Sequence, residues 1–270
     1  MFMVIVTGAG ALCFEGSLLA NLPAFALVLV GLYLTGGSAN ALNQYFERDI
    51  DAQMARTRNR RPLPRHKLSP NQALMFSVAI GVLGVAVFAV FFNLLSAILA
   101  LATIMFYGFV YTLVLKPRTH LNIVIGGAAG AMAPPIAWAA ATGTVSAAPW
   151  VLALVIFLWT PPHFWALALF RKDDYVKVQL PMLPVVKGDQ ATLDQILVYT
   201  ILLVAVSLVF SLFGASLVYT VAAAVLGAVF IQKAVATRRH STPQSQRGLF
   251  GYSITYILAL FGTVILDKLL

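Results

Sequence analysis

Charge is what this chain lacks most. Only 10% of its 270 residues are Asp, Glu, Lys or Arg and 60% are hydrophobic, whereas soluble domains carry about 25% charged residues; the deficit indicates a membrane protein. Cysteine is nearly absent as well. Cys13 is the only one, which excludes an intrachain disulfide, a thiolate-clustered metal site and the C-x-x-C-H pattern of covalent heme attachment. Acids are scarce enough to leave a formal charge of +9. That surplus does not point to nucleic acid, because the basic residues punctuate long apolar runs instead of forming a solvated face.

A bilayer core of roughly 30 Å takes about 20 residues of helix. Nine apolar segments approach that length: Phe2 to Phe14, Leu22 to Tyr45, Ala73 to Phe92, Leu94 to Leu115, Leu121 to Ala141, Pro149 to Phe170, Ile196 to Phe213, Ser216 to Ala234, and Leu249 to Leu266. The first is short for a span and lacks the basic n-region of a secretory signal, so it is expected to be a first membrane helix whose N-terminal lead-in is missing. Very short links around Asn93 and Gly214 predict two tight helical hairpins. The expected fold is all-α, a polytopic membrane bundle forming one domain over residues 1–270, with its polar loops at about 46–72 and 171–195.

Basic residues tell the two sides of the membrane apart. Alternate loops hold 17 of the 18 Lys and Arg residues, and the four intervening loops hold none. Since Lys and Arg accumulate in cytoplasmic loops, the N-terminus is expected in the cytoplasm and the C-terminus, with Lys268, outside.

Seven of the nine acidic residues lie on the same side. Asn43, Glu47 and Asp51, at i, i+4 and i+8, share one helical face over ~12 Å of axis if the second helix continues that far. Carboxylates converging at a membrane boundary repel one another unless a cation sits between them, and Mg²⁺ prefers oxygen ligands. The spacing alone also suits a solvated helix end with local Asp/Arg pairs. The adjoining run from Met54 to Pro62, with Arg56, Arg58, Arg60 and Arg61, reads either as a positive-inside anchor or as a diphosphate clamp, since Arg forks match phosphate oxygens. A second mixed cluster, Arg171-Lys-Asp173-Asp174-Tyr-Val-Lys177, follows the sixth helix at the matching membrane face. Two such clusters, one in each half of the chain, look like two walls of one site.

These residues resemble a known family. Asn43-x-x-x-Glu47-x-x-x-Asp51 is similar to the first Asn-x-x-x-Asp-x-x-x-Asp motif of the UbiA superfamily of intramembrane prenyltransferases, and the loop with Asp173 and Asp174 takes the place of its second Asp-rich motif. More narrowly, four segments resemble the heme O synthase family: Asp49-Ile-Asp51-x-x-Met54-x-Arg56-Thr57, Tyr111-Thr112-x-x-x-Lys116-x-x-Thr119-x-x-Asn122, Pro161-Pro-His163-Phe-Trp165-Ala-Leu-Ala168 and Pro181-Met-Leu-Pro-Val-Val-Lys-Gly188. With the first motif they span residues 43 to 188 in the family's order, and the C-terminal third matches in hydrophobic layout. Glu47 replaces the superfamily's usual Asp, which keeps the charge on a longer side chain. Lys177 stands four residues after Asp173, where the second motif has an acid, and this suggests direct contact with diphosphate.

The resemblance implies a bundle around a central cavity that opens towards the cytoplasmic leaflet under a polar cap. It implies Mg²⁺ as cofactor, held by the catalytic set Asn43, Glu47, Asp51, Asp173 and Asp174, with Arg56, Arg60, Lys116, Arg118 and Lys177 on the diphosphate. Farnesyl diphosphate is the implied donor and heme b the acceptor, so heme O and diphosphate are the products, passed on to heme A synthase or terminal oxidase assembly proteins. The nearest rival is a UbiA-type enzyme for a quinone precursor such as 4-hydroxybenzoate, against which the Pro-Pro-His-Phe-Trp and Asp-Ile-Asp-x-x-Met segments argue. A transporter would be expected to show acids near the midplane and paired inverted repeats, and the sequence has neither.

His163 is the only histidine placed within a membrane helix; His66, His120 and His240 fall in or beside loops. An intramembrane ionisable group is a functional candidate. It reads equally as an axial ligand to the substrate iron and as a polar partner for backbone freed near Pro161 and Pro162. Trp159 and Trp165 read as bundle packing or interface anchors.

Overall fold

In the computed structural model, which describes residues 1–269, every apolar segment is helical. The long helices are α1 (Phe2–Glu15), α2 (Leu22–Phe46), α3 (Pro70–Phe91), α4 (Leu94–Arg118), α5 (Asn122–Thr142), α6 (Ala147–Phe170), α7 (Asp189–Phe213), α8 (Leu217–Arg239) and α9 (Pro243–Leu269). Eight of them, α2 to α9, are long and apolar enough to cross a membrane. The ninth, α1, has 14 residues, only about 21 Å of rise. It is nonetheless part of the bundle: Leu12 is buried, Gly10 lies against Phe261 of α9, and the Phe14 ring sits 4.7 Å from that of Phe210 in α7.

Helix ends follow local chemistry more than hydropathy. Ser69 and Gln72 form a capping box with Pro70 in the first turn, so α3 begins three residues before its apolar run. The mostly polar stretch 189–195 extends α7 beyond the apolar segment. The loop expected at 171–195 therefore contains helix Lys172–Lys177, helix Leu183–Val186 and the start of α7, and the loop expected at 46–72 contains helices Arg48–Gln53 and Ala55–Arg58. Both expected hairpins form. Asn93 caps α4 and also donates to the Ala139 carbonyl at 2.6 Å, and Gly214 takes a left-handed φ of 92° that ends α7.

The centre of the bundle is α5 and α6, whose apolar windows are each 67% buried against 22% for α3. Hydroxyls inside the bundle find partners within it: Thr35 donates to the Gly31 carbonyl and Thr200 to that of Ile196 on their own helices, while Ser38 of α2 donates to the Ser77 carbonyl of α3, as a solvent-free core demands. At the α2/α3 crossing a side chain on Gly84 would meet the backbone nitrogen of Thr35 at 2.9 Å, so only glycine allows that approach.

Candidate active site

The first acidic segment survives a change of helix. Glu47 leaves helical geometry at φ −94°, ψ 7°, yet its N–H bonds the Asn43 carbonyl at 3.0 Å and the Asp51 N–H bonds the Glu47 carbonyl at 2.8 Å. The three side chains thus remain on one face across the joint between α2 and helix Arg48–Gln53. They are not at a solvated helix end: Asn43, Glu47 and Asp51 are 3%, 4% and 2% exposed. Buried carboxylates require paired cations. Arg61 donates to Asp51, approaches the Asn43 side-chain oxygen at 3.4 Å and pairs with Glu47 at 3.5 Å, while Lys116 donates to the other Glu47 oxygen. Burial pushes the Asp51 carboxyl above the usual carboxylate range, the Arg61 guanidinium opposes it, and Glu47 adds a smaller upward push.

Arg61 reaches this point because the chain turns back. Thr57 donates to the Asp51 carbonyl at 2.9 Å, folding helix Ala55–Arg58 against the segment it follows. From the other side, α4 widens into π-helical geometry over Phe106–Leu115, a distortion that often marks functional sites. Thr112 there donates to the Tyr107 carbonyl at 2.8 Å and accepts from the Asn43 amide at 3.1 Å. Tyr107 and Tyr111 stack at 5.0 Å, and the Lys116 ammonium lies 6.0 Å from the Tyr111 ring centre. Gly126 of α5 makes room for that ring, since a Cβ there would collide with it.

The second segment is built differently. In helix Lys172–Lys177, Asp173 is exposed and Asp174 is partly buried, its Oδ2 enclosed and without a hydrogen-bond partner among the described residues. Lys177 is exposed, as are Arg60 and Arg118, and none has an acidic partner among the described residues. Arg56 is partly buried, and its Nε is also enclosed without a partner. The structure therefore unites Asn43, Glu47, Asp51 and Lys116, adds Arg61, and leaves the second-segment residues outside this hydrogen-bonded network. Among the described residues no three His, Cys, Asp or Glu side chains gather as a metal site. Two carboxylates and an amide oxygen still suit Mg²⁺, which commonly takes one or two carboxylates and completes its shell with substrate phosphate and water.

Beneath the first segment lies a cavity of about 300 Å³ whose lining includes Tyr107, Tyr111, Trp159, His163 and Phe164. The His163 ring is held between Trp159 at 4.4 Å and Phe250 at 4.6 Å, both stacked. Its Nδ1 is 2.8 Å from the Ser253 hydroxyl of α9. The backbone freed by Pro161 and Pro162 is not its partner, because the ring points across the bundle. Trp159 also donates to the Ser253 carbonyl at 2.7 Å. The sequence does not single out Tyr107, Trp159 or Ser253 as site residues, and it offers Arg61 only as one member of the Arg-rich run. Trp159 carried a signal in its i−4 spacing from His163 and Arg61 in its Arg-rich run, whereas Ser253 carried none.

Comparison with known proteins identifies the family and the fold. The model of the UbiA prenyltransferase family matches residues 3–261. A protoheme IX farnesyltransferase of Picosynechococcus sp. is 48% identical over 246 residues, covering 90% of this chain and 77% of the relative. The protein of that name from Symbiobacterium thermophilum is 44% identical, covering 99% and 90%. Among solved structures, a digeranylgeranylglyceryl phosphate synthase matches with a TM-score of 0.77 at 17% identity, over 99% of this chain and 93% of that one. A UbiA homolog from Archaeoglobus fulgidus bound to GPP and Mg²⁺ matches at 0.64 and 17%, over 97% and 96%.

Proposed function

The chain belongs to the UbiA prenyltransferase family, and we propose on that premise that it transfers the farnesyl group of farnesyl diphosphate to a vinyl group of heme b, giving heme O and diphosphate. Relatives at 44–48% identity carry that activity in their names, which favours heme over a quinone precursor. The observation that carries the reading is a single cavity with His163 on one wall and Tyr107 and Tyr111 on another, the tyrosines tied to the Asn43, Glu47, Arg61 and Lys116 cluster through the Lys116 ammonium 6.0 Å from the Tyr111 ring centre and through Thr112, which bonds both the Tyr107 carbonyl and Asn43.

In this reading Lys116 and Arg61, with Arg56, take up the diphosphate as the allylic C–O bond ionises, stabilising the charge that collects on the leaving group. Asn43, Glu47 and Asp51 would hold Mg²⁺ together with Asp173 and Asp174 from the second segment, and the metal would supply charge neutralisation on the diphosphate. The apolar and aromatic lining shields the farnesyl cation from water. The vinyl π electrons form the new bond to farnesyl C1. Water then adds to the carbon left cationic, releasing a proton and giving the hydroxyethylfarnesyl group. His163 holds the heme iron, so that the vinyl faces the cap. Lys177, Arg60 and Arg118 line the approach of the diphosphate.

The whole chain acts as one domain, and heme A synthase or oxidase assembly proteins would receive the product. The collection of 17 of 18 basic residues at the cap end supports an inner-membrane orientation with the N-terminus cytoplasmic and the C-terminus outside. Binding separates the two ends of the site. His163→Ala is expected to change heme affinity and the heme absorption spectrum while affinity for a non-reactive farnesyl thiodiphosphate stays at the wild-type value. Unaltered heme binding and spectrum would show that His163 is structural.

A further inference from the structure

We infer that Ser253 is a positioning residue that fixes His163 as its Nδ1–H tautomer, leaving Nε2 as a bare lone pair facing the cavity to take the iron of heme b. The inference rests on the heme reading above and adds to it the atom, the tautomer and the residue that sets both.

The proton count leads there. The Ser253 hydroxyl lies 2.6 Å from the Phe250 carbonyl, and a carbonyl oxygen only accepts, so the one hydroxyl proton is committed to it. The same oxygen is 2.8 Å from His163 Nδ1, which must therefore be the donor. Nε2 is then unprotonated. The opposite tautomer would ask one hydroxyl proton to serve two acceptors and would aim an Nε2–H donor at a mostly apolar cavity, leaving it unmet at a desolvation cost.

The ring has no freedom to escape this arrangement. Trp159 and Phe250 cover its two faces, Phe164 meets it edge-on at 5.0 Å, and Ser253 holds the Nδ1 edge. What remains is the Nε2 edge. Among the described residues Nε2 has no hydrogen-bond partner, yet it is not one of the enclosed atoms, so it is open, and His163 lines the cavity. Ser253 is itself fully buried, and its backbone carbonyl receives the Trp159 indole N–H at 2.7 Å. One residue of α9 thus anchors both the ligand and the ring that stacks on it. A histidine whose second nitrogen donates to an oriented oxygen is the usual support for a metal-binding imidazole.

The test is a heme b titration of the purified full-length protein, following the Soret band in ferric and ferrous states for wild type, His163→Ala, Ser253→Ala and Ser253→Thr. Ser253→Ala is expected to weaken heme binding about 10- to 100-fold and to shift the Soret band. Ser253→Thr keeps the hydroxyl and is expected to keep the wild-type spectrum. Farnesyl thiodiphosphate affinity should be equal in all four. A residue with a purely structural role would lower the melting temperature and leave the spectrum alone. A wild-type spectrum and affinity in Ser253→Ala, beside an altered His163→Ala, overturns the positioning role and leaves His163 as the ligand. Unchanged heme binding in His163→Ala overturns the ligand reading and Ser253 with it. Should Ser253→Ala fail to fold, a shifted spectrum in Ser253→Thr overturns the proposal and a wild-type one supports it.

Discussion

The two acidic segments meet the same membrane face, but one is buried and internally paired while the other is largely exposed. Asn43, Glu47 and Asp51 lie on a continuous helical face, enclosed, with Arg61 and Lys116 between them. Asp173 stands in solvent, and Asp174 keeps an enclosed oxygen with no partner. Charges taken from water must be paired where they stand, so the first segment is part of what holds the bundle end together. In the second, Asp173 and Asp174 make no ion pair among the described residues, so under the proposed function these two carboxylates are left to answer to substrate. A fixed wall and a responsive wall is the arrangement expected where binding completes the site.

The largest effect should come from the fixed wall. Asp51→Asn or Glu47→Gln is expected to lower turnover by at least about 100-fold and also to lower the melting temperature, because each removes one of the two carboxylates that balance Arg61 and Lys116 in a buried network. Kinetics of heme prenylation together with a thermal melt check this, and an unchanged melt would mean the segment is less embedded than its burial indicates.

A smaller and cleaner effect is expected on the responsive wall. Asp174→Asn should cost turnover by roughly 10- to 100-fold, and Asp173→Asn less, both with the wild-type melting temperature, since neither side chain has an ionic partner among the described residues. Equal loss of thermal stability in the two segments would erase the distinction between them. The smallest effects belong to the exposed cations. Lys177→Gln should raise the KM for farnesyl diphosphate several-fold, with Arg60→Gln and Arg118→Gln closer to wild type, and added salt should diminish all three differences because exposed charges are screened.

Much of this was legible in the chain itself. Long apolar runs have one solution in a bilayer, so the helices could be counted, and the i, i+4, i+8 spacing of Asn43, Glu47 and Asp51 put them on one face. Burial of that face was not legible. It depends on Arg61 folding back through the Thr57 to Asp51 bond and on the widened turn in α4, and neither leaves a mark in hydropathy. Lys116 was found through its motif, whereas Ser253 lies in a stretch whose only pattern is hydrophobic, and its partner is 90 residues away. Contacts across the bundle join positions that no local spacing connects.

The central claim is that this site joins farnesyl to heme. Incubating the purified protein with Mg²⁺ and farnesyl diphosphate, together with an equimolar mixture of heme b and 4-hydroxybenzoate, and weighing the products by mass spectrometry tests it most directly. The account predicts one new species, with the mass of heme b plus a farnesyl group and a hydroxyl, absent when Mg²⁺ is chelated. A farnesylated 4-hydroxybenzoate with heme b recovered unchanged would contradict it.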